Sequence, residues 1–428
     1  MISVFVAVFT LLVAAIINGI FGMNTVTIIV VIAVHFLVNS YVVLKNSKMS
    51  LMGNYIVFGS VMRIALLFLD RYGQSVFRLP NSGADSEMFY MQSVMLATEG
   101  RFTRNDGFIV LMGNLMRLIG TSRLLAQYVV VMFSIISLVY IAYSLNEIPI
   151  AQERKQLIML VISMLPNYAI LGSIFLRESI VAMLISMSCY NYVHWLNNKQ
   201  EKYFVIAIIQ VLIASYFHSG AIGMIGGYIA IRLIYNKNTD KINLSIRNIL
   251  ATVIFILLFT LVFNRYSDTL FRKLSGVNSI EDIANTNDLG GSSYARYVGN
   301  SNSLFNMIIY TPLRLIYFLF SPFPWQWRNA ADIIAFIFSS MFFMFIIYKA
   351  IRALRHLETT EHKTRLFLTL IIVISVVFVF AWGVSNTGTA ARHRDKLVPL
   401  FAILWAFTEI DIDINKSDDK RTTSKYIR

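Results

Sequence analysis

The chain has 428 residues, 57% of them hydrophobic and 14% charged, with a mean hydropathy of +0.64 and a formal net charge of +14. A soluble domain carries about 25% charged residues and could not hide this much apolar side chain, so composition excludes a soluble catalytic protein and points to an integral membrane one. Apolar runs of about 20 residues, enough to cross roughly 30 Å of hydrocarbon, recur along the chain without the alternation of barrel strands, so the fold class is all-α.

In chain order, the runs predict spans at 2–20, 25–44, 51–69, 123–144, 157–175, 179–196, 203–217, 219–235, 248–263, 332–348, 366–384 and 397–408. The first has no basic residues before it and no small-residue cleavage site, and reads as a retained helix rather than a removed signal peptide. Twelve transmembrane helices place both ends on one side. Of the 14 lysines, 12 then fall on the side of the tail, and only Lys273 and Lys396 on the other. The positive-inside rule makes the lysine-rich side cytoplasmic. Two further apolar stretches, 108–120 and 304–320, carry Arg117 and Arg314. Counting either as a span would invert everything after it, so both are predicted to be interfacial or re-entrant helices. The expected organisation is a single polytopic membrane domain, 1–428, with long external loops at 70–107 and 264–303 and a cytoplasmic tail at 409–428.

The cytoplasmic loops are short and carry no phosphate-cradling glycine loop or nucleotide fingerprint. Cys189, the one cysteine, lies in an apolar run, and no Cys/His metal spacing exists. No metal, cofactor or nucleic acid is expected. The external side differs: it holds fourteen arginines against two lysines. Positive charge there opposes the insertion bias, and arginine's planar fork suits phosphate. The set suggests a polyanionic ligand such as a lipid-linked pyrophosphate, while pairing with external acids is the plainer account of any single arginine.

Four patches carry candidate chemistry. Between the last two spans, 386–396 reads NTGTAARHRDK. Arg392 and Arg394 could hold a pyrophosphate, His393 titrates near neutral pH, Asp395 could orient it, and Thr387, Gly388 and Thr389 offer backbone N–H groups. The plainer reading is a solvated basic loop. At 176–179, LRES sets Arg177 and Glu178 between two apolar helices, where charges are paired or functional; the plainer reading is an Arg177–Glu178 pair. At 216–220, YFHSG places His218 at a helix end, as a base, a hydroxyl-orienting group or an interfacial anchor. In the first long loop, 82–90 reads SGADSEMFY, with Asp85 and Glu87 as candidate acids or simple helix caps. Downstream, 321–328 reads SPFPWQWR. Trp325 and Trp327 suit either an interfacial belt or stacking on sugar faces, with Arg328 beside them.

Together, LRES, YFHSG, SPFPW and the late ARHRDK resemble the bacterial polysaccharide repeat-unit polymerases, the Wzy/EpsG-like membrane proteins of O-antigen, capsule and exopolysaccharide synthesis. The resemblance covers most of the chain in architecture and these patches in residues. It implies a C-type membrane glycosyltransferase of the bacterial cytoplasmic membrane, acting on undecaprenyl-pyrophosphate-linked oligosaccharides outside it, with a chain-length regulator as a partner. Arg177, Arg392 and Arg394 would bind pyrophosphate, and His218 or His393 would handle the acceptor. Related membrane glycosyltransferases use an acid in the first external loop, which makes Asp85 the candidate, although its surroundings lack their paired-acid form. Two rival classes are a lipid-oligosaccharide flippase, which would show internal repeats and midplane charges, and a glycan-modifying acyltransferase.

Overall fold

The computed structural model describes residues 25–45, 50–103, 106–237, 239–242, 250, 293–294, 298, 304–357 and 360–410. The predicted span at 2–20, that at 248–263 apart from residue 250, most of the 264–303 loop and the tail beyond 410 lie outside the described residues.

Among the described residues the chain is helical almost throughout, with one two-residue hairpin pairing Tyr235–Asn236 with Lys241–Ile242. The helices are α1 (Thr25–Lys45), α2 (Ser50–Tyr72), α3 (Ala84–Glu99), α4 (Gly107–Ile119), α5 (Arg123–Glu147), α6 (Gln152–Met164), α7 (Pro166–Leu171), α8 (Glu178–Asn198), α9 (Glu201–Phe217), α10 (Gly223–Ile234), α11 (Leu304–Phe320), α12 (Ala330–Ala335), α13 (Met341–His356), α14 (Thr360–Trp382), α15 (Thr387–Arg394) and α16 (Val398–Phe407). Four stretches are long and apolar enough to cross a membrane: Met52–Tyr72, Arg123–Glu147, Asp332–His356 and Glu361–Trp382. On α9, Val205, Ile209, Leu212 and Tyr216 form an exposed apolar stripe at helical spacing, as a lipid-facing helix requires. By contrast α16 is apolar all round, and all ten of its residues are buried. It packs among α5, α6, α8, α13 and α14 at the centre of the bundle.

One predicted span is broken. The run at 157–175 ends as α6 at Met164, restarts as the short α7, and becomes turns before α8. Pro166 has no N–H to donate and cannot continue the α6 ladder. The loose end is capped by Arg63 of α2, a fully buried guanidinium that donates to Ser163 O (3.1 Å), Gly59 O (2.9 Å) and Ser134 Oγ (2.6 Å). A cation at the carbonyl end of a helix is favoured by the helix dipole.

The 108–120 stretch forms α4, which packs on α3. Asp106 at its start meets Arg177, and Thr121 just past its end accepts from Tyr90. Both ends of this 13-residue helix therefore sit at the same end of the bundle. Ion pairs divide the same way. One set joins Asp85, Glu87, Asp106, Arg123, Arg177, Glu178, Arg392 and Lys396; the other joins Glu147, Arg154, His194, Lys199, Glu201, Lys237, Asp240, Lys349 and Glu409. Among the described residues, no ion pair connects the two ends.

The crossing of α10 and α14 positions the site described below. Gly223 and Gly227, one turn apart, let the backbones touch. A Cβ on either would stand 2.7 Å from Val376 Cα or Ile372 Cα, a small-residue contact familiar in membrane helix pairs. Ser375 Oγ donates to Gly223 O (2.6 Å) across it. Gly227→Leu is expected to cost roughly 1–3 kcal/mol by overpacking and to lower the unfolding temperature in detergent. Gly53→Ala is the control: a Cβ there meets nothing within 4 Å. An unchanged midpoint for Gly227→Leu would contradict this packing.

Candidate functional site

The site is built on the last turn of α15. Asn386 caps that helix, and its Oδ1 accepts from Gly388 N (2.9 Å) and Thr389 N (3.3 Å). The N–H groups of Gly388 and Thr389, expected to be offered to a ligand, are thus engaged in starting a helix. Helical geometry then turns successive side chains about 100° apart, so Arg392, His393 and Arg394 point three ways.

Arg392 reaches a buried carboxylate. Its Nε donates to Glu178 Oε1 (2.7 Å) and its Nη1 to Asp85 Oδ2 (2.6 Å). Lys396 lies one turn beyond Arg392, and its Nζ stands 3.4 Å from the same Glu178 oxygen. Glu178 is 2% exposed, Lys396 fully buried, and Asp85 55% exposed. Burial alone would raise the Glu178 carboxyl, but Arg392, Lys396 and Arg177 together hold it below the usual carboxylate range. Its place in the first turn of α8 adds the favourable helix dipole. Burial and the neighbouring guanidinium groups push the Lys396 ammonium well down.

Arg177 does not pair with Glu178, its neighbour in sequence. It donates to Asp106 Oδ2 (2.6 Å), while Asp106 Oδ1 accepts from Phe108 N and caps α4. The three cations Arg177, Arg392 and Lys396 are thus matched by Glu178, Asp85 and Asp106. The local arginines are compensated by protein carboxylates and do not stand as surplus charge.

His393 faces His218. The two Nε2 atoms are 3.3 Å apart and the rings meet edge to face, with Phe380 against both. His218 closes α9, and its Nδ1 accepts from Gly220 N (3.3 Å). The glycine contact of α10 with α14 carries Phe380 and the 218–222 turn to this point. Burial, then Lys396, lowers both imidazoles well below their ordinary value.

Arg394 points inward. It is fully buried and donates to Ser321 O, Phe318 O (3.3 Å), Ser339 Oγ (2.9 Å) and Ser340 Oγ (3.0 Å). The serines face it from a π-helical turn, Phe336–Ser340, inside the Asp332–His356 helix. Arg394 therefore pins the 321–328 turn, and two arginines a helical fan apart do not form one pyrophosphate grip. Asp395, expected to orient the histidine, instead accepts from Ser339 Oγ (2.9 Å); burial pushes its carboxyl up to about 6 against the pull of Arg394.

Of the residues singled out in the sequence, His218, His393, Asp85, Glu178, Arg177 and Arg392 come together. Arg328, Trp325 and Trp327 stand apart in the 321–328 turn. Arg328 is paired with Asp332 (3.0 Å), Trp327 donates to Pro322 O (3.1 Å), and the exposed Trp325 stacks on Phe323 at 4.7 Å. Lys396, which the sequence reading gave no role, and Asp106, read there only as one of the external acids that could pair with an arginine, join the residues that come together. Lys396 carried a signal, its spacing of four from Arg392; Asp106 preceded an apolar run as an N-cap does. Beneath the cluster, Glu178, Ser179, Lys396, Asp395, Ser134 and Tyr168 line a small cavity with room for about one water.

The lowered imidazoles set the sign of a pH effect. The unfolded chain takes up histidine protons near pH 6.5 and the folded chain does not, so stability falls as pH drops below about 6.5. Each histidine contributes up to ~1.4 kcal/mol per pH unit. Glu178 acts in the same direction further down, its contribution present above the ordinary carboxylate value and lost as pH falls through the lowered one. Chemical unfolding between pH 7 and pH 5 should show a shallower pH slope for His218→Gln/His393→Gln than for the wild type. Equal slopes would contradict a neutral pair.

Comparison with protein-family models, with curated proteins and with solved structures finds no match to the chain.

Proposed function

We propose that the protein is a polysaccharide repeat-unit polymerase of the bacterial cytoplasmic membrane, joining oligosaccharides carried on undecaprenyl pyrophosphate. The observation that carries this reading is the gathering of Glu178, His218, His393, Arg177, Arg392 and Lys396 at one end of an apolar helical bundle. The lysine partition predicts that end to be external in a twelve-span topology, and the division of ion pairs between two ends supports the alternation. An external site has neither ATP nor cytosolic nucleotide-sugars at hand. Its donor must arrive activated, on a lipid carrier, and no cofactor is needed.

The chemistry is substitution at an anomeric carbon. The acceptor hydroxyl oxygen bonds to that carbon, the bond from carbon to pyrophosphate oxygen breaks, and the lipid pyrophosphate leaves with the electron pair. Asp85, half exposed and released when pyrophosphate takes its place on Arg392, is the carboxylate that accepts the hydroxyl proton. Arg392 stabilises the departing charge. Its outer partner, Asp85, is half exposed, and an exposed ion pair is worth roughly 0–1 kcal/mol. A pyrophosphate can therefore displace Asp85 from the guanidinium while Glu178 keeps its hold. The Trp325–Phe323 stack, tied to the site through Arg394, offers a face for sugar rings. A chain-length regulator would act beside this end, and the bilayer supplies the carrier.

Purified protein in nanodiscs, given only lipid-linked repeat units, is expected to build a ladder of products without ATP or nucleotide-sugar. Arg392→Lys, which loses the fork, should slow it at least about tenfold. In cells, deletion should leave single repeat units on the carrier, facing outward. Units trapped on the inner face would indicate a flippase, and full-length chains lacking a substituent an acyltransferase. No ladder from folded protein with the correct repeat unit would overturn the polymerase reading.

A further inference from the structure

The hydrogen bonds around the histidine pair fix where its protons lie. Gly220 N–H can only donate, so His218 Nδ1 accepts and carries no proton. A neutral His218 then holds its proton on Nε2. The ring nitrogen opposite is His393 Nε2, at 3.3 Å, which must accept. His393 in turn carries its proton on Nδ1. That atom is buried and has no hydrogen-bond partner among the described residues. A buried N–H without an acceptor is destabilising, and such groups in native proteins call for an explanation. Lys396, Arg392 and Arg177 act electrostatically on this ring, against Glu178, and Arg177 Nε also lacks a hydrogen-bond partner among the described residues.

We propose that His393 is a hydrogen-bond donor, through Nδ1–H, to a phosphate oxygen of the ligand, and that His218 is the positioning residue that locks this tautomer. The pair is then no general base: the one lone pair left on His393 is occupied by His218. The identity of the ligand oxygen rests on the glycosyl-transfer reading, but the tautomer does not. His218 acts one step removed, as an orienting partner does for a metal-bound or catalytic imidazole.

The test is ¹⁵N NMR of histidine-labelled full-length protein in zwitterionic nanodiscs at pH 7, with the two rings assigned by His218→Gln and His393→Gln. His393 should carry its proton on Nδ1 with Nε2 bare, and adding inorganic pyrophosphate should shift Nδ1. A proton on Nε2 would overturn the proposal. No shift with pyrophosphate, or the same shift from anionic phospholipid alone, would overturn the ligand assignment. His218→Phe removes the lock and should leave His393 in mixed tautomers, whereas His218→Gln keeps an N–H at the Nε2 position and should preserve the wild-type form. Should His218→Phe fail to fold, the wild-type spectrum alone decides. Side-chain mimics separate a donor from a base. His393→Asn, which sets an N–H near the Nδ1 position, should keep at least about tenfold more transfer activity than His393→Gln. Equal loss in both would contradict a donor role. A failed ladder with the tautomer intact would count against the polymerase, and a working ladder with the proton on Nε2 against this proposal.

Discussion

Glu178 is a carboxylate with almost no exposure at the mouth of an apolar bundle. Such a charge persists only where cations and hydrogen bonds replace the water it has lost, and removing one partner of a buried pair costs about 3–5 kcal/mol. Arg392 and Lys396, one helical turn apart, supply that replacement. This contact fastens the start of α8 to the end of α15. Everything else at the site is arranged around it: the third direction of the α15 fan brings His393 to His218, and the inward arginine, Arg394, holds the turn bearing the aromatic stack.

The same interaction explains why the loop hairpin α3–α4 sits where it does. Asp85 and Asp106, at the starts of its two helices, reach Arg392 and Arg177, and Glu87 brings a third point to Arg123 (3.0 Å). These contacts differ in depth. Asp106 is buried and doubles as a helix cap, so it is a fixed anchor, whereas Asp85 is exposed and exchangeable. An anionic ligand would meet a site whose charge is already balanced, and would bind by exchange at the exposed carboxylate. That is a narrower role for arginine than the sequence count suggested, since most of the arginines near the site answer to protein acids or carbonyls.

Much of this was legible beforehand because membrane proteins write charge sparingly. Arginine, glutamate and histidine between apolar runs stand out at 177–178, 218 and 392–396, and all three patches meet. The helices themselves followed from apolar length, and the 108–120 stretch is one of them, a short helix of 13 residues. Partner choice was not legible. Arg177 and Glu178 are adjacent in sequence but leave the chain in different directions, because Arg177 is the N-cap and Glu178 the first helical residue of α8. Arg392 and Arg394 read as a pair until a helix separates them by two steps of its turn. The break at 165–166 was not expected within the 157–175 span, although Pro166 is its cause, and its partner, Arg63, lies a hundred residues away and could be found only through the fold.

The most direct measurement is a double-mutant cycle on Glu178 and Arg392, using Glu178→Gln and Arg392→Met and following unfolding free energy in detergent. If the buried carboxylate organises this end of the bundle, each single variant is strongly destabilised and the double variant recovers much of the loss, with a coupling of about 2–3 kcal/mol. Losses that add to within about 0.5 kcal/mol would show that the two groups act independently, and would contradict the arrangement from which the site is built.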